Sequence, residues 1–130
     1  MTQAPGRVFI IVTGIFYIIL GVLGMILVLN TIVFGLLETN IVHDVVIFAQ
    51  SCLFLFTGIV GIKHCNSVSE ASFLKKLALV NIAAALAMSA FTFAILPQLV
   101  TALYELFSGL ALGILFLVGA SKNEAANLKT

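Results

Sequence analysis

One acidic residue stands where an acid is expensive. Glu105 lies inside an apolar run with no other charge in it, seven residues past Gln98 and so roughly 10 Å in from the near end of a helix. A carboxyl inside a bilayer marks a functional site by default, because hydrocarbon penalises it heavily. Two chemistries fit: a hydrogen-bonded carboxyl that holds helices together, or a proton- or cation-responsive group. Gln50 sits six residues past Asp44, at a similar depth in another apolar run, and is the expected facing partner. Tyr17 falls in the other half of its own helix and suits the role less well. Glu105 and Gln50 therefore form the candidate intramembrane polar site.

The remaining reactive side chains make no chemistry by their spacing. Glu38, His43 and Asp44 form a small acidic patch without an HxxxH-type ligand pair, so it reads as a solvated loop. His64 and Cys65 are adjacent, and one of each is too few for a metal. Cys52 and Cys65 are thirteen residues apart, about 20 Å along one helix, against the roughly 4.4–6.8 Å between Cα atoms of a disulfide. No Ser-His-Asp arrangement or phosphate loop is present. The chain is expected not to be an enzyme, with no catalytic residue, metal or cofactor.

The elements that position these residues are dictated by composition. Of 130 residues, 62% are hydrophobic and 8% charged, where a soluble domain carries about 25% charged. Lipid must therefore supply most of the solvent. A net charge of +1 with scattered basic residues gives no stripe to neutralise phosphates, which argues against nucleic acid. Four apolar runs, at about 8–29, 45–62, 77–95 and 99–118, predict four spans, each near the roughly 20 residues that cross a 30 Å hydrocarbon core. Apolar character continues through 34–37, so the first helix is expected to be long or tilted. The first run exceeds the roughly 7–15 residues of a signal-peptide core, so it reads as a retained helix. Residues 63–76 form a charged bend, 96–98 a tight turn around Pro97, and 121–130 a polar tail. Ser67 or Ser69 is expected to cap the third helix, and Glu70 suits its positive start. The expected fold is all-α: one domain over 1–130, an antiparallel up-down four-helix membrane bundle.

Packing should follow the small residues. Lipid gives helices no hydrophobic reason to associate, so close backbone approach and interhelical hydrogen bonds must do it. Stripes at helical spacing run through Gly14, Tyr17, Gly21 and Gly24; Gln50, Thr57, Gly58 and Gly61; Asn81, Ala85, Met88, Ser89 and Thr92; and Thr101, Ala102, Glu105, Ser108, Gly109 and Gly113. Gly14, Gly21, Gly58, Gly61, Gly109 and Gly113 are the expected helix contacts, with little space left inside. Leu55-Phe56-Thr57-Gly58-Ile59 echoes Leu106-Phe107-Ser108-Gly109-Leu110, as two related hairpins would.

The bend Gly58-Ile-Val-Gly61-Ile62-Lys63-His-Cys-Asn66 and the closing Leu115-Phe-Leu-Val-Gly119-Ala120-Ser-Lys122-Asn123 resemble a group of small bacterial four-span membrane proteins of unknown function. That group carries G-I-x-G-I-K-x-x-N-x-P-E-K-A and L-Y-L-x-G-A-x-K-N at these places. Val68 stands here for the proline, followed by Ser69, Glu70 and Ala71. The resemblance covers about forty residues; it implies the four-span fold and no activity.

Two functions fit such a chain. The first is a structural or accessory membrane protein acting through helix contacts, its partners membrane lipid and either a second copy or another membrane protein. The second is an oligomeric ion- or proton-coupled transporter or channel with Glu105 as the responsive group. In both, Arg7, Lys63, Lys75, Lys76, Lys122 and Lys129 fall on one side of the membrane, and the opposite loops carry no Lys or Arg. By the positive-inside rule the termini and the 63–76 bend face the cytoplasm. Single cysteines at Thr2 and Asn40 in a cysteine-free background should label from opposite sides of the membrane; labelling of Thr2→Cys from outside in intact cells would overturn this orientation.

Overall fold

The computed structural model describes residues 3–35, 41–95 and 99–129. Among them are four helices and no strand: α1 (Arg7–Phe34), α2 (Ile41–His64), α3 (Ala71–Ile95) and α4 (Leu99–Leu128). Each is long and apolar enough to cross a membrane. The Pro97 turn and the Glu38–Asn40 part of the acidic patch lie outside the described residues.

The helices run past the expected spans. α1 has 28 residues, about 42 Å at 1.5 Å per residue, more than a hydrocarbon core of roughly 30 Å. It stops at Gly35, which adopts a left-handed conformation (φ 56°) and donates its N–H to the Thr31 carbonyl at 3.1 Å. Glycine takes that conformation without a Cβ clash. α3 starts at Ala71 rather than Leu77, because Ala71 and Leu74 are buried in the bundle and the chain must already be helical to put both there. The bend therefore shrinks to residues 65–70. Its serines do not cap α3 as expected. The Ser67 and Ser69 hydroxyls bond each other at 3.0 Å, and the Ala71 N–H donates to the Val68 carbonyl. α4 continues to Leu128, so most of the expected polar tail is helix.

α1 pairs antiparallel with α2, and α3 with α4. The two hairpins meet chiefly through α1 and α4. The six expected glycines all lie buried between helices. A Cβ on Gly58 would stand 2.6 Å from the Gly14 carbonyl oxygen, and one on Gly21 2.9 Å from that of Ser51, so α1 and α2 touch backbone to backbone. Within the second hairpin, a Cβ on Gly109 would lie 2.5 Å from the Ala85 Cβ, and one on Gly113 2.5 Å from Ile82. Gly61 faces the Phe116 ring and joins the hairpins. Around that ring gathers the buried core of Ile10, Tyr17, Cys65, Leu74, Ala78 and Ala120. Large apolar side chains such as Phe16, Ile19, Phe56, Ile59, Phe93 and Phe107 cover the outside. A water-soluble monomer rarely exposes an apolar surface of this extent.

Replacing Gly109 by Leu must push Ala85 or its helix aside, and Gly58→Leu must part α1 from α2. Each should lose about 1–3 kcal/mol or more through overpacking. Thermal unfolding in mild detergent, followed by helical circular dichroism, should show lower midpoints for both and little change for the outward-facing Phe107→Leu. Unchanged melting of Gly109→Leu would remove that glycine from the contact.

Candidate functional site

The two hairpins do not close along their whole length. In the half of the bundle away from the bend, they leave a cleft of about 330 Å³. Leu20, Gly24 and Leu27 of α1, Gln50, Ser51 and Phe54 of α2, Ala85 and Met88 of α3, and Tyr104, Glu105 and Ser108 of α4 line it. The expectation of little internal space is thus corrected. The glycines draw helices together mostly within each hairpin, and the contacts between hairpins gather near the bend.

Glu105 and Gln50, proposed as a pair from depth alone, share this cleft. Both are half-buried. Oε2 of Glu105 is buried and has no hydrogen-bond partner among the described residues, so the bond to Gln50 expected of it is not formed. Leaving a buried acceptor unpaired costs about 1–3 kcal/mol in proteins. The neighbouring hydroxyls give it no proton. Ser51 donates to the Ile47 carbonyl at 2.8 Å and Ser108 to that of Tyr104 at 2.7 Å, each within its own helix. Tyr17 lies outside the cleft, packed against Phe54 and Phe116 with ring centroids 5.1 and 6.0 Å away.

The other polar residues of the stripes mostly bind helices. Asn81 donates to the Thr57 hydroxyl at 2.7 Å and ties α3 to α2, while Ser89 donates to the Ala102 carbonyl at 2.8 Å across the second hairpin. Thr101, placed on an inward stripe by its spacing, is exposed. Cys52 is exposed and Cys65 buried, both as free thiols. Among the described residues no three His, Cys, Asp or Glu side chains gather as a metal site would require.

A second constellation, at the bend end, has no counterpart in the reasoning from spacing. Asn123 is fully buried. Its Oδ1 accepts from the Gly6 N–H at 2.7 Å, and its Nδ2 donates to the Cys65 carbonyl at 3.1 Å. One carboxamide thus joins the start of α1, the end of α2 and the last turns of α4. Gly6 and Gly119 make the approach close enough: a Cβ on Gly6 would overlap the Gly119 carbonyl. Beside them Lys122 lies 4.4 Å from the centre of the Phe9 ring, and Lys75 pairs with Glu124 at 2.8 Å. That ion pair is partly exposed, and such pairs contribute about 0–1 kcal/mol. The one advance signal for Asn123 was the Gly119-Ala120-Ser-Lys122-Asn123 string, whose glycine and asparagine now have physical roles.

No known protein family, curated protein or solved structure matches the chain. What the fold and the cleft define is a class: an all-α protein of four apolar helices suited to a membrane. The likeness of its bend and its closing string to other small four-span proteins rests on those residues alone.

The junction is open to a direct check. Asn123→Leu strands a buried N–H on Gly6 and a buried carbonyl on Cys65, at about 1–3 kcal/mol for each stranded group. Asn123→Asp retains the acceptor for Gly6 but removes the donor to Cys65. Thermal unfolding should rank wild type above Asp and Asp above Leu. A Leu variant that melts with the wild type would show that the carboxamide does not hold the bundle.

Proposed function

We propose that this chain is an integral membrane protein whose working part is the cleft between its hairpins, with Glu105 as the responsive group of a transport- or ligand-handling site. The observation that carries this reading is the buried, unpartnered Oε2 of Glu105 on the wall of an open cleft. A carboxyl retained to glue helices would be bonded across them, as Asn81 and Asn123 are. The cleft volume also favours a small molecule over an accessory role through helix docking. Ligand pockets run from about 300 to 1,000 Å³. One 5.4 Å turn of a helix 10 Å across already fills roughly 400 Å³. The six basic residues stand at the bend end, which the positive-inside rule assigns to the cytoplasm. The cleft then lies in the outer half of the bilayer.

The accessory reading retains one specific observation. The helices are bound by close glycine contacts, as a purely structural bundle would be.

Stability separates the two. A functional carboxyl held without a partner weakens the fold, and its removal should stabilise it. Glu105→Leu should therefore unfold later than wild type in detergent, by about 1–3 kcal/mol, the penalty of the stranded acceptor. Glu105→Gln should fold normally. If Glu105→Leu instead melts early, as Asn123→Leu should, Glu105 is structural glue and the reading as a working site falls.

A further inference from the structure

The polar groups of the cleft differ in what they have left to give. A hydroxyl has one proton to donate and two lone pairs to accept with. The protons of Ser51 and Ser108 are committed to Ile47 and Tyr104 carbonyls of their own helices. Toward the cleft both serines thus offer lone pairs alone. Glu105 lines the cleft with its carboxyl, whose Oε2 is covered and has no partner. Gln50 and Tyr104 can accept as well as donate. Among the described residues, no Lys, Arg or His lines the cleft. Its polar wall is therefore rich in acceptors and carries at most negative charge, while Leu20, Leu27, Ile47, Phe54 and Met88 make the rest apolar.

Resting on the reading of this cleft as the working site, we infer that it binds an apolar molecule bearing a single primary ammonium group, with the ammonium at Glu105 and the apolar body against the leucines of α1 and Phe54 of α2. An ammonium brings three donors and a positive charge, the complement of an acceptor-rich, acidic wall. Charge-assisted bonds to a carboxylate are roughly twice as strong as neutral ones. An anionic head would meet the Glu105 carboxyl and the serine lone pairs, with only the Gln50 amide and the Tyr104 hydroxyl to donate to it and no positive charge. A neutral alcohol would bring one donor and no charge. The size is bounded too. A cleft of about 330 Å³ lies at the low end of the roughly 300–1,000 Å³ of ligand pockets, which suits a body the size of a phenylalkylamine.

The test uses the whole chain in phosphatidylcholine nanodiscs at neutral pH, with binding measured by calorimetry against empty nanodiscs. The probes are 4-phenylbutylamine, 4-phenylbutanol and 4-phenylbutyrate, which share a body and differ in the head. The amine should bind saturably and at least tenfold more tightly than the alcohol, and the acid should not saturate. Glu105→Gln should abolish the preference for amine over alcohol. Leu23 of α1 also lines the cleft and is half-exposed, and Leu23→Trp, which adds bulk there, should weaken amine and alcohol together. Equal affinities for amine and alcohol, or a preference that survives Glu105→Gln, would overturn the ammonium assignment while leaving the cleft a binding site. Saturable binding by none of the three would overturn the inference outright, and the melting of Glu105→Leu would then decide the wider reading by itself.

Discussion

One side-chain amide fixes the geometry at the bend end. Asn123 has an acceptor and a donor, and both are used inside the bundle, on the Gly6 N–H and the Cys65 carbonyl. Each bond satisfies a group that a helix terminus leaves open. The first N–H groups of α1 and the last carbonyls of α2 have no partner within their own helices. Neither terminus has water close by at this point, since Asn123 and Cys65 are both buried. To reach them α4 must stay helical well past the end of its apolar run. This accounts for a helix of 30 residues where the apolar run ends near Val118. The close passage of Gly6 over Gly119 is the steric condition for the same bonds.

From that fixed end the rest follows by geometry. Helices in lipid are held by backbone approach and hydrogen bonds rather than by exclusion of water. The backbone approaches fall mainly within the hairpins, Gly14 on Gly58 and Gly109 on Ala85. Between hairpins the ties are Asn123, the Phe116 cluster and the Asn81–Thr57 bond. None of these reaches the region of Leu27, Gln50 and Glu105. With nothing to draw them together there, the hairpins part and the cleft opens.

The sequence made some of this legible because it depends on residue type at helical spacing. Four helices, the buried glycines and the shared location of Glu105 and Gln50 are readable from apolar runs, small-residue stripes and depth. What was hidden depends on pairs distant in the chain. Gly6 and Asn123 are 117 residues apart, and nothing in either neighbourhood names the other. The early start of α3 was masked by Lys75 and Lys76. They look like bend residues, yet they sit on the outer side of a helix whose inner side buries Ala71, Leu74 and Ala78. The cleft was hidden for a related reason. Small-residue stripes tell which faces meet, but not how far along the axis the meeting continues.

An unpartnered polar atom does not by itself mark a working site in this bundle. The Tyr17 hydroxyl, His43 Nε2, Asn81 Oδ1 and Thr92 Oγ1 are also buried without partners among the described residues. They differ from Glu105 in their surroundings. Tyr17 and Thr92 have no exposed surface, Asn81 is all but enclosed, and Asn81 is already bonded through its Nδ2 to Thr57 and to Leu77. None of the four lines the cleft. Glu105 is half-buried, stands on the wall of a ligand-sized space and could carry a full charge there. Its place on the wall of the cleft is what separates Glu105 from the other polar residues with a stranded atom.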